Sequence, residues 1–176
     1  LFCAIAVKVS DPKGPIIFKQ SRVGKNGRLF TMYKFRSMYA DAEERKKALL
    51  EQNETCGKTF KMKNYPRIYP FGHVLRKFSL DELPQFFNII KGDMSIVGPR
   101  PPMPSEVAEY EPWHRMRLSV TPGLTCIWQV SGRSNISFEG QMRLDNDYIR
   151  RDGKLVDDFM LILKTFKVVF KGEGAY

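Results

Sequence analysis

Hydrophobic and polar positions follow several different periods along this chain. Residues 1–9, Leu-Phe-Cys-Ala-Ile-Ala-Val-Lys-Val, are apolar except for Lys8. The run is shorter than the ~18 apolar residues that span a bilayer. It reads either as a core strand or as the tail of a longer membrane-embedded segment. Two prolines and a glycine in Ser10–Pro15 end it. Residues 16–23 and 28–36 then predict two antiparallel strands around Asn26-Gly27, a strong hairpin signal. Strand alternation puts Phe30, Met32, Lys34 and Arg36 on one side of the second strand.

Residues 38–52, with Glu43–Lys47 and Lys47–Glu51 spaced i,i+4, predict a solvated helix. Residues 53–64 are polar and predict a loop, although Phe60 and Met62 alternate with lysines as a membrane-skimming piece would. A helix is predicted at His73–Lys77. Leu83, Phe86, Phe87 and Ile90 recur at i, i+3, i+4, i+7, the stripe of a short half-buried helix. Met94–Val97 predicts a short strand, and Gly98-Pro99-Arg100-Pro101-Pro102 a stiff elbow. Residues 105–118 predict a helix, with Pro112 opening its second part. Thr121–Leu124 predicts a turn, Thr125–Val130 a short strand, and residues 131–134 a small polar loop. Residues 138–151 predict a helix bearing Asp145 and Asp147, which are two apart and so do not face the same way. The last helix carries Leu155, Phe159, Ile162, Leu163, Phe166, Val169 and Phe170 as one apolar stripe. Such a stripe either packs on a core or lies in a lipid interface.

Composition narrows the partners. Twenty-nine Lys and Arg against 19 Asp and Glu leave a net charge of +10. That balance suits a polyanion: nucleic acid, an anionic membrane face or nucleotide-sugar phosphates. The three cysteines are far apart and form no C-x-x-C pair, which argues against a disulfide framework or structural zinc site and for a reducing compartment. His73 and His114 stand alone and read as ordinary histidines.

The chemistry concentrates in residues 76–102. Asp81 and Glu82 are adjacent acids, with Arg76 before them and Arg100 after. Ser79-Leu80-Asp81-Glu82 also fits a capping box, with Ser79 as N-cap and Glu82 at N3. Pro84 speaks against that frame, because it would fall where a helix capped by Ser79 needs an amide donor. Lys34 and Arg36 admit two readings as well: substrate contacts, or a solvated or lipid-facing basic edge.

A series of short segments, in order, resembles the bacterial sugar transferases, the monotopic polyprenyl-phosphate phosphoglycosyltransferases. They are residues 14–24 (GPIIFKQSRVG), 34–38 (KFRSM), 80–85 (LDELPQ), 91–95 (KGDMS), 98–101 (GPRP), 121–124 (TPGL) and 128–133 (WQVSGR). Each is modest alone, but their order is specific. The resemblance implies an α+β fold. That fold is a mainly helical, monotopic, membrane-associated domain with a small β-hairpin and amphipathic interface helices. Residues 1–9 would be the outgoing end of a truncated re-entrant membrane helix. Residues 10–176 would form the cytosol-facing catalytic domain, on the inner leaflet of the bacterial cytoplasmic membrane.

It further implies transfer of a sugar-1-phosphate from a UDP-sugar to undecaprenyl (polyprenyl) phosphate, with UMP leaving. Asp81 would be the nucleophile and Glu82 the Mg²⁺ ligand, with Arg76 and Arg100 on phosphates. Lys34, Arg36, Asp145 and Asp158 are further site candidates, and Gln129 and Arg133 candidate contacts to nucleotide or sugar. A homodimer is compatible with the sequence, which fixes no oligomeric state. Two competing readings are a nucleic-acid-binding domain, which would stay soluble and bind DNA in a salt-dependent way, and a soluble Mg²⁺-dependent phosphohydrolase using Asp81. The resemblance favours neither, and implies no nucleic-acid partner.

Overall fold

A computed structural model describes residues 2–42, 66–132, 135–151 and 154–171. The helix predicted at 38–52 lies outside these residues from position 43 on. The loop predicted at 53–64 and the candidate Arg133 lie outside them altogether. The described residues fall into two compact units. The first comprises residues 2–18, 34–42 and 66–83, and the second residues 19–33, 84–132, 135–151 and 154–171. Among the described residues no helix is long and apolar enough to cross a membrane.

In the first unit the opening apolar run is a helix, α1 (Phe2–Ser10). It packs on α2 (Pro70–Lys77), with the Phe2 and Phe71 rings edge to face at 6.1 Å. Pro70 opens α2, where a missing amide costs nothing and a fixed φ suits the helix. Val7, Tyr69 and Leu75 are fully buried. Gly72 is required by proximity, since a Cβ there would strike the Ser37 carbonyl.

Arg36 locks this unit together. Its guanidinium donates to Asp11 Oδ2, to Asp11 O at 2.6 Å and to Pro15 O at 2.7 Å. Its own carbonyl accepts from the Tyr69 hydroxyl. Asp11 follows directly on α1 and also takes the Ala40 amide at 3.0 Å. Burial pushes the Asp11 carboxyl up, but the bonds from Arg36 and Ala40 outweigh that and hold it below the usual range. Burial pushes the Tyr69 phenol up to about 12, so it remains a neutral donor. Gly14 makes room for the clamp, because a Cβ there would meet the guanidinium.

The hairpin forms from β1 (Ile17–Val23) and β2 (Leu29–Phe35), which pair with each other. Its turn is a short 3₁₀ segment at Lys25–Gly27, with Asn26 (φ 56°) and Gly27 (φ 81°) in the left-handed region. In the second unit Phe30 and Met32 alternate inward and pack with Met94 and Ile89.

The helix with the expected core stripe, α3 (Gln85–Ile90), is turned over. Gln85 and Asn88 are its buried residues, while Phe87 and Ile90 are 67% and 82% exposed. The cause is the open edge of β2. Asn88 Oδ1 accepts the Tyr33 amide at 3.1 Å, and its Nδ2 donates to Thr31 O at 2.7 Å. A buried strand edge demands a polar partner, and Asn88 provides it.

The rest of the second unit centres on two short parallel strands, β3 (Ser95–Val97) and β4 (Gly123–Thr125), in register Ser95 to Gly123 and Val97 to Thr125. Before β4 come α4 (Pro104–Ala108) and a 3₁₀ segment at Pro112–Ser119, in place of one helix over 105–118. Pro112 does open the second piece. The strand expected at 125–130 is instead the end of β4 followed by α5 (Ile127–Ser131).

Helix α6 (Phe138–Arg150) is capped by Ser137, whose Oγ accepts the Gly140 amide at 3.2 Å. Val97, Tyr148 and Leu161 form the core with Ile127, Val130, Ile149 and Ile162. The last helix, α7 (Lys154–Lys171), enters that core through Leu161 and Ile162. Thr165 donates its hydroxyl proton to Leu161 O, so Thr125 is the donor in the 2.7 Å bond between the two threonines. Most of the predicted stripe, Leu155, Phe159, Leu163, Phe166 and Phe170, is exposed.

Replacing Arg36 by Ala should destabilise the fold by about 3–5 kcal/mol, since it leaves the buried Asp11 carboxylate without its counter-ion. Arg36→Lys should fall between the two, keeping the charge but not three directed donors. Chemical denaturation of the three proteins reads the order directly.

Candidate active site

The first unit assembles four of the sequence candidates. Arg76 is in the last turn of α2, which ends at Lys77. The chain then turns at Ser79, held in the left-handed region (φ 52°, ψ 23°). For a residue with a Cβ that conformation costs about 1–2 kcal/mol. Such outliers gather at functional sites. Leu80–Glu82 forms a single 3₁₀ turn, and α3 starts only at Gln85, with Pro84 at its N-cap. The capping box predicted for Ser79 is absent: the Ser79 side chain caps nothing. Asp81 and Glu82 therefore sit in an isolated turn between two helices, as the misfit of Pro84 requires.

Asp81 is buried, at 8% exposure. Burial is the main influence on its carboxyl and raises it, with the Glu82 charge adding to the rise. Lys34 and Arg76 pull the other way, and the result is about 6. Lys34 donates to Glu82 Oε1 at 2.7 Å. The Lys34 and Glu82 side chains remain 21% and 27% exposed, so solvent reaches the site beside Asp81. Near neutral pH Asp81 is ionised, yet sparsely hydrated, as suits an oxygen nucleophile.

The donor set can be compared with what Mg²⁺ requires. Among the described residues no group of three or more His, Cys, Asp or Glu forms a protein cage for a metal. Mg²⁺ is usually held by one or two carboxylates, with waters and substrate phosphates completing its shell. A part-exposed Glu82 next to a buried Asp81 fits that pattern, with Lys34 as the cation displaced or shared.

The other candidates resolve differently. Arg36 serves the α1 clamp described above, where its guanidinium donates to Asp11 and Pro15. In the second unit Asp145 is 1% exposed and 2.7 Å from Arg117 Nη2. Burial raises its carboxyl to about 6 against the pull of Arg117, Trp128 and Arg100. The Trp128 indole N–H exerts its pull at close range, although neither it nor Asp145 Oδ2 completes a well-aligned hydrogen bond. Asp158 accepts the Tyr148 hydroxyl at 2.9 Å and fixes α6 to α7. Gln129 is half-buried on α5 and accepts the Cys126 thiol at 3.2 Å. Arg100 is half-buried in the elbow after β3.

Sequence reasoning missed Asp11, Asn88 and the buried Arg117. Only Asn88 left a readable trace. Gln85 and Asn88 are spaced i,i+3, a polar stripe beside the apolar one.

A model of the family described as bacterial sugar transferase matches residues 1–172. The chain is 51% identical to the galactosyl transferase CpsE of Streptococcus agalactiae serotype III, over 99% of this chain and 40% of that protein. It is 43% identical to the undecaprenyl-phosphate galactose phosphotransferase of Salmonella typhimurium, over 96% of this chain and 36% of that protein. It is 38% identical to the exopolysaccharide production protein ExoY of Rhizobium meliloti, over 97% of this chain and 76% of that protein. The chain thus spans well under half the length of the first two relatives.

The Asp81 carboxyl protonates near 3.8 in the unfolded chain and near 6 here. The fold therefore favours the protonated form. That contribution is complete below pH ~4 and is lost as pH rises through 6. At pH 7.5, without divalent cations, Asp81→Asn should be more stable than wild type by roughly 1–3 kcal/mol. The gap should close towards pH 4. Thermal denaturation from pH 4 to 8 measures it, and equal midpoints throughout would mean the ionised carboxyl carries no burial cost.

Proposed function

The chain belongs to the bacterial sugar transferase family, and from that premise we propose that it transfers a sugar-1-phosphate from a UDP-sugar to polyprenyl phosphate through a covalent intermediate on Asp81. The observation that carries this reading is the isolated turn at residues 80–82. It holds one buried, poorly hydrated carboxylate next to one part-exposed carboxylate, flanked by Lys34 and Arg76.

The steps balance as follows. An Asp81 carboxylate oxygen attacks the phosphorus that bears the sugar. The bond from that phosphorus to the bridging oxygen breaks, and UMP leaves with the electron pair. Asp81 then holds the phosphosugar as an acyl phosphate. An oxygen of the polyprenyl phosphate attacks the same phosphorus, Asp81 departs as carboxylate, and a polyprenyl-diphosphate sugar is released. One hard displacement between anions becomes two easier ones.

Repulsion between the diphosphate and the carboxylate has to be offset. Lys34 and Arg76 supply positive charge in this unit, and Arg100 is assigned to donor phosphate as well. Glu82 would hold Mg²⁺, which when bound neutralises the diphosphate. Gln129 and Arg133 keep the candidate role of contacts to nucleotide or sugar.

A lipid acceptor implies a membrane surface. Exposed apolar side chains support that placement in each unit taken separately: Phe2, Ile5 and Val9 on α1, Phe87 and Ile90 on α3, Phe166 and Phe170 on α7. Large apolar side chains left exposed in this number on a helix suit an interaction face. We assign these faces to the headgroup region of the inner leaflet of a bacterial cytoplasmic membrane, with α1 as the outgoing arm of a re-entrant segment. The names of the relatives fit glycan assembly on such a carrier, and galactose is the sugar two of them name.

Incubating the full-length protein with UDP-galactose and Mg²⁺, without acceptor, should add one hexose phosphate to Asp81, detected by mass spectrometry. Asp81→Asn should form no adduct and lose transfer by at least ~10³-fold, while remaining folded. Glu82→Gln should lose most activity and its response to added Mg²⁺. An adduct on another residue, or full turnover by Asp81→Asn, would overturn the assignment.

A further inference from the structure

The elbow Gly98–Pro102 is anchored in an unusual way. Proline has no amide proton. With prolines at 99, 101 and 102, Arg100 contributes the one backbone N–H in the last four residues of the elbow. Such a segment can be held mainly through its carbonyls, and each of the four is taken by a different donor. The Gly123 amide donates to Pro99 O at 2.9 Å. Arg117 Nη2 donates to Arg100 O at 2.9 Å. Arg22 Nη1 donates to Pro101 O at 3.0 Å, and the Val23 amide to Pro102 O at 2.9 Å. At the elbow's start the Gly98 amide donates to Thr125 O at 3.0 Å. A Cβ on Gly123 would strike the Gly98 backbone, and one on Gly98 the Thr121 carbonyl.

Two of these donors are buried arginines, a costly choice for holding neutral carbonyls. Arg117 is fixed on several sides. Its Nη1 donates to the Tyr110 hydroxyl at 2.9 Å, and its Nη2 faces Asp145 at 2.7 Å. Asp145 itself is 1% exposed. Its charge acts on Arg117 and, more weakly, on Arg100. Arg22 is oriented by Gln20 Oε1, which accepts from both its Nε and its Nη2.

We propose that Asp145 is a positioning residue: through Arg117 it locks the Arg100 carbonyl and so aims the Arg100 side chain at donor phosphate. Arg22 is a second, independent anchor one carbonyl further on. The inference rests on the phosphate role given to Arg100 above. It replaces direct substrate contact by Asp145, which its burial and its pairing with Arg117 do not favour.

The test uses full-length protein in detergent micelles. UDP with Mg²⁺ serves as the probe, since it carries the diphosphate but no sugar to transfer. Asp145→Asn should weaken UDP binding about tenfold by calorimetry, the scale of one charge-assisted contact. Arg100→Ala should weaken it similarly, and the double variant should be no worse than Arg100→Ala alone. Amide exchange of a peptide covering residues 96–104 should accelerate in Asp145→Asn, while residues 70–77 stay unchanged. Wild-type affinity and exchange in Asp145→Asn would overturn the proposal, as would additive losses in the double variant. Unchanged UDP binding by Arg100→Ala would sink the phosphate role of Arg100 and the aiming role with it, while the exchange result still decides the anchoring. Should Asp145→Asn not fold, Asp145→Glu, which keeps the charge but displaces it from Arg117, carries the same two readouts.

Discussion

A helix cannot run unbroken from Pro70 to Ile90, and the acidic site exists because of that. Pro84 has no amide to give the preceding turn. Ser79 has already left helical space for the left-handed region. Between them Leu80–Glu82 closes a single turn that belongs to neither flanking helix. In a continuous helix Asp81 and Glu82 would point about 100° apart into whatever each met. Here the two share an isolated turn, one carboxylate inside and the other at the boundary, where Lys34 meets it. Strain at one serine and the absence of one proton on a proline thus place two neighbouring acids in different surroundings.

The two perturbed aspartates show how similar acidity arises from different surroundings. Asp81 and Asp145 are both raised to about 6, in each case chiefly by loss of water. Asp145 faces a buried guanidinium on a packed helix. Asp81 adjoins side chains that remain open to solvent, with two cations acting on it. A raised carboxyl alone therefore does not mark a site, and the two differ in whether solvent-exposed side chains adjoin them.

Much of this was legible in the residues, and the exceptions share a cause. The ordered short segments identify the family without any structure. The Asn26-Gly27 turn, the helix expected at 138–151 and the break at Pro112 follow from local chemistry and appear there, the helix ending one residue early at Arg150. Readings failed where tertiary demands overrode local pattern. The Leu83–Ile90 stripe obeys helical periodicity, but an unpaired strand edge claimed the opposite face for Asn88. Arg36, expected to end the second strand, lies one residue past β2, and its guanidinium pairs with Asp11, 25 residues away. Thr125–Val130 looks extended by composition, but only its first residue finds a strand partner. Long-range partners of this kind leave no mark on spacing.

The inverted short helix bears on how this protein could be handled in the laboratory. Its greasy side chains at 87 and 90 make none of the bonds that hold the strand edge, whereas the amide at 88 makes two. Surface redesign for a detergent-free version therefore has a natural starting point at those outer positions. The same logic warns against the intuitive choice of trimming polar residues to tidy an amphipathic wheel, because there the hydrophilic side is the keystone.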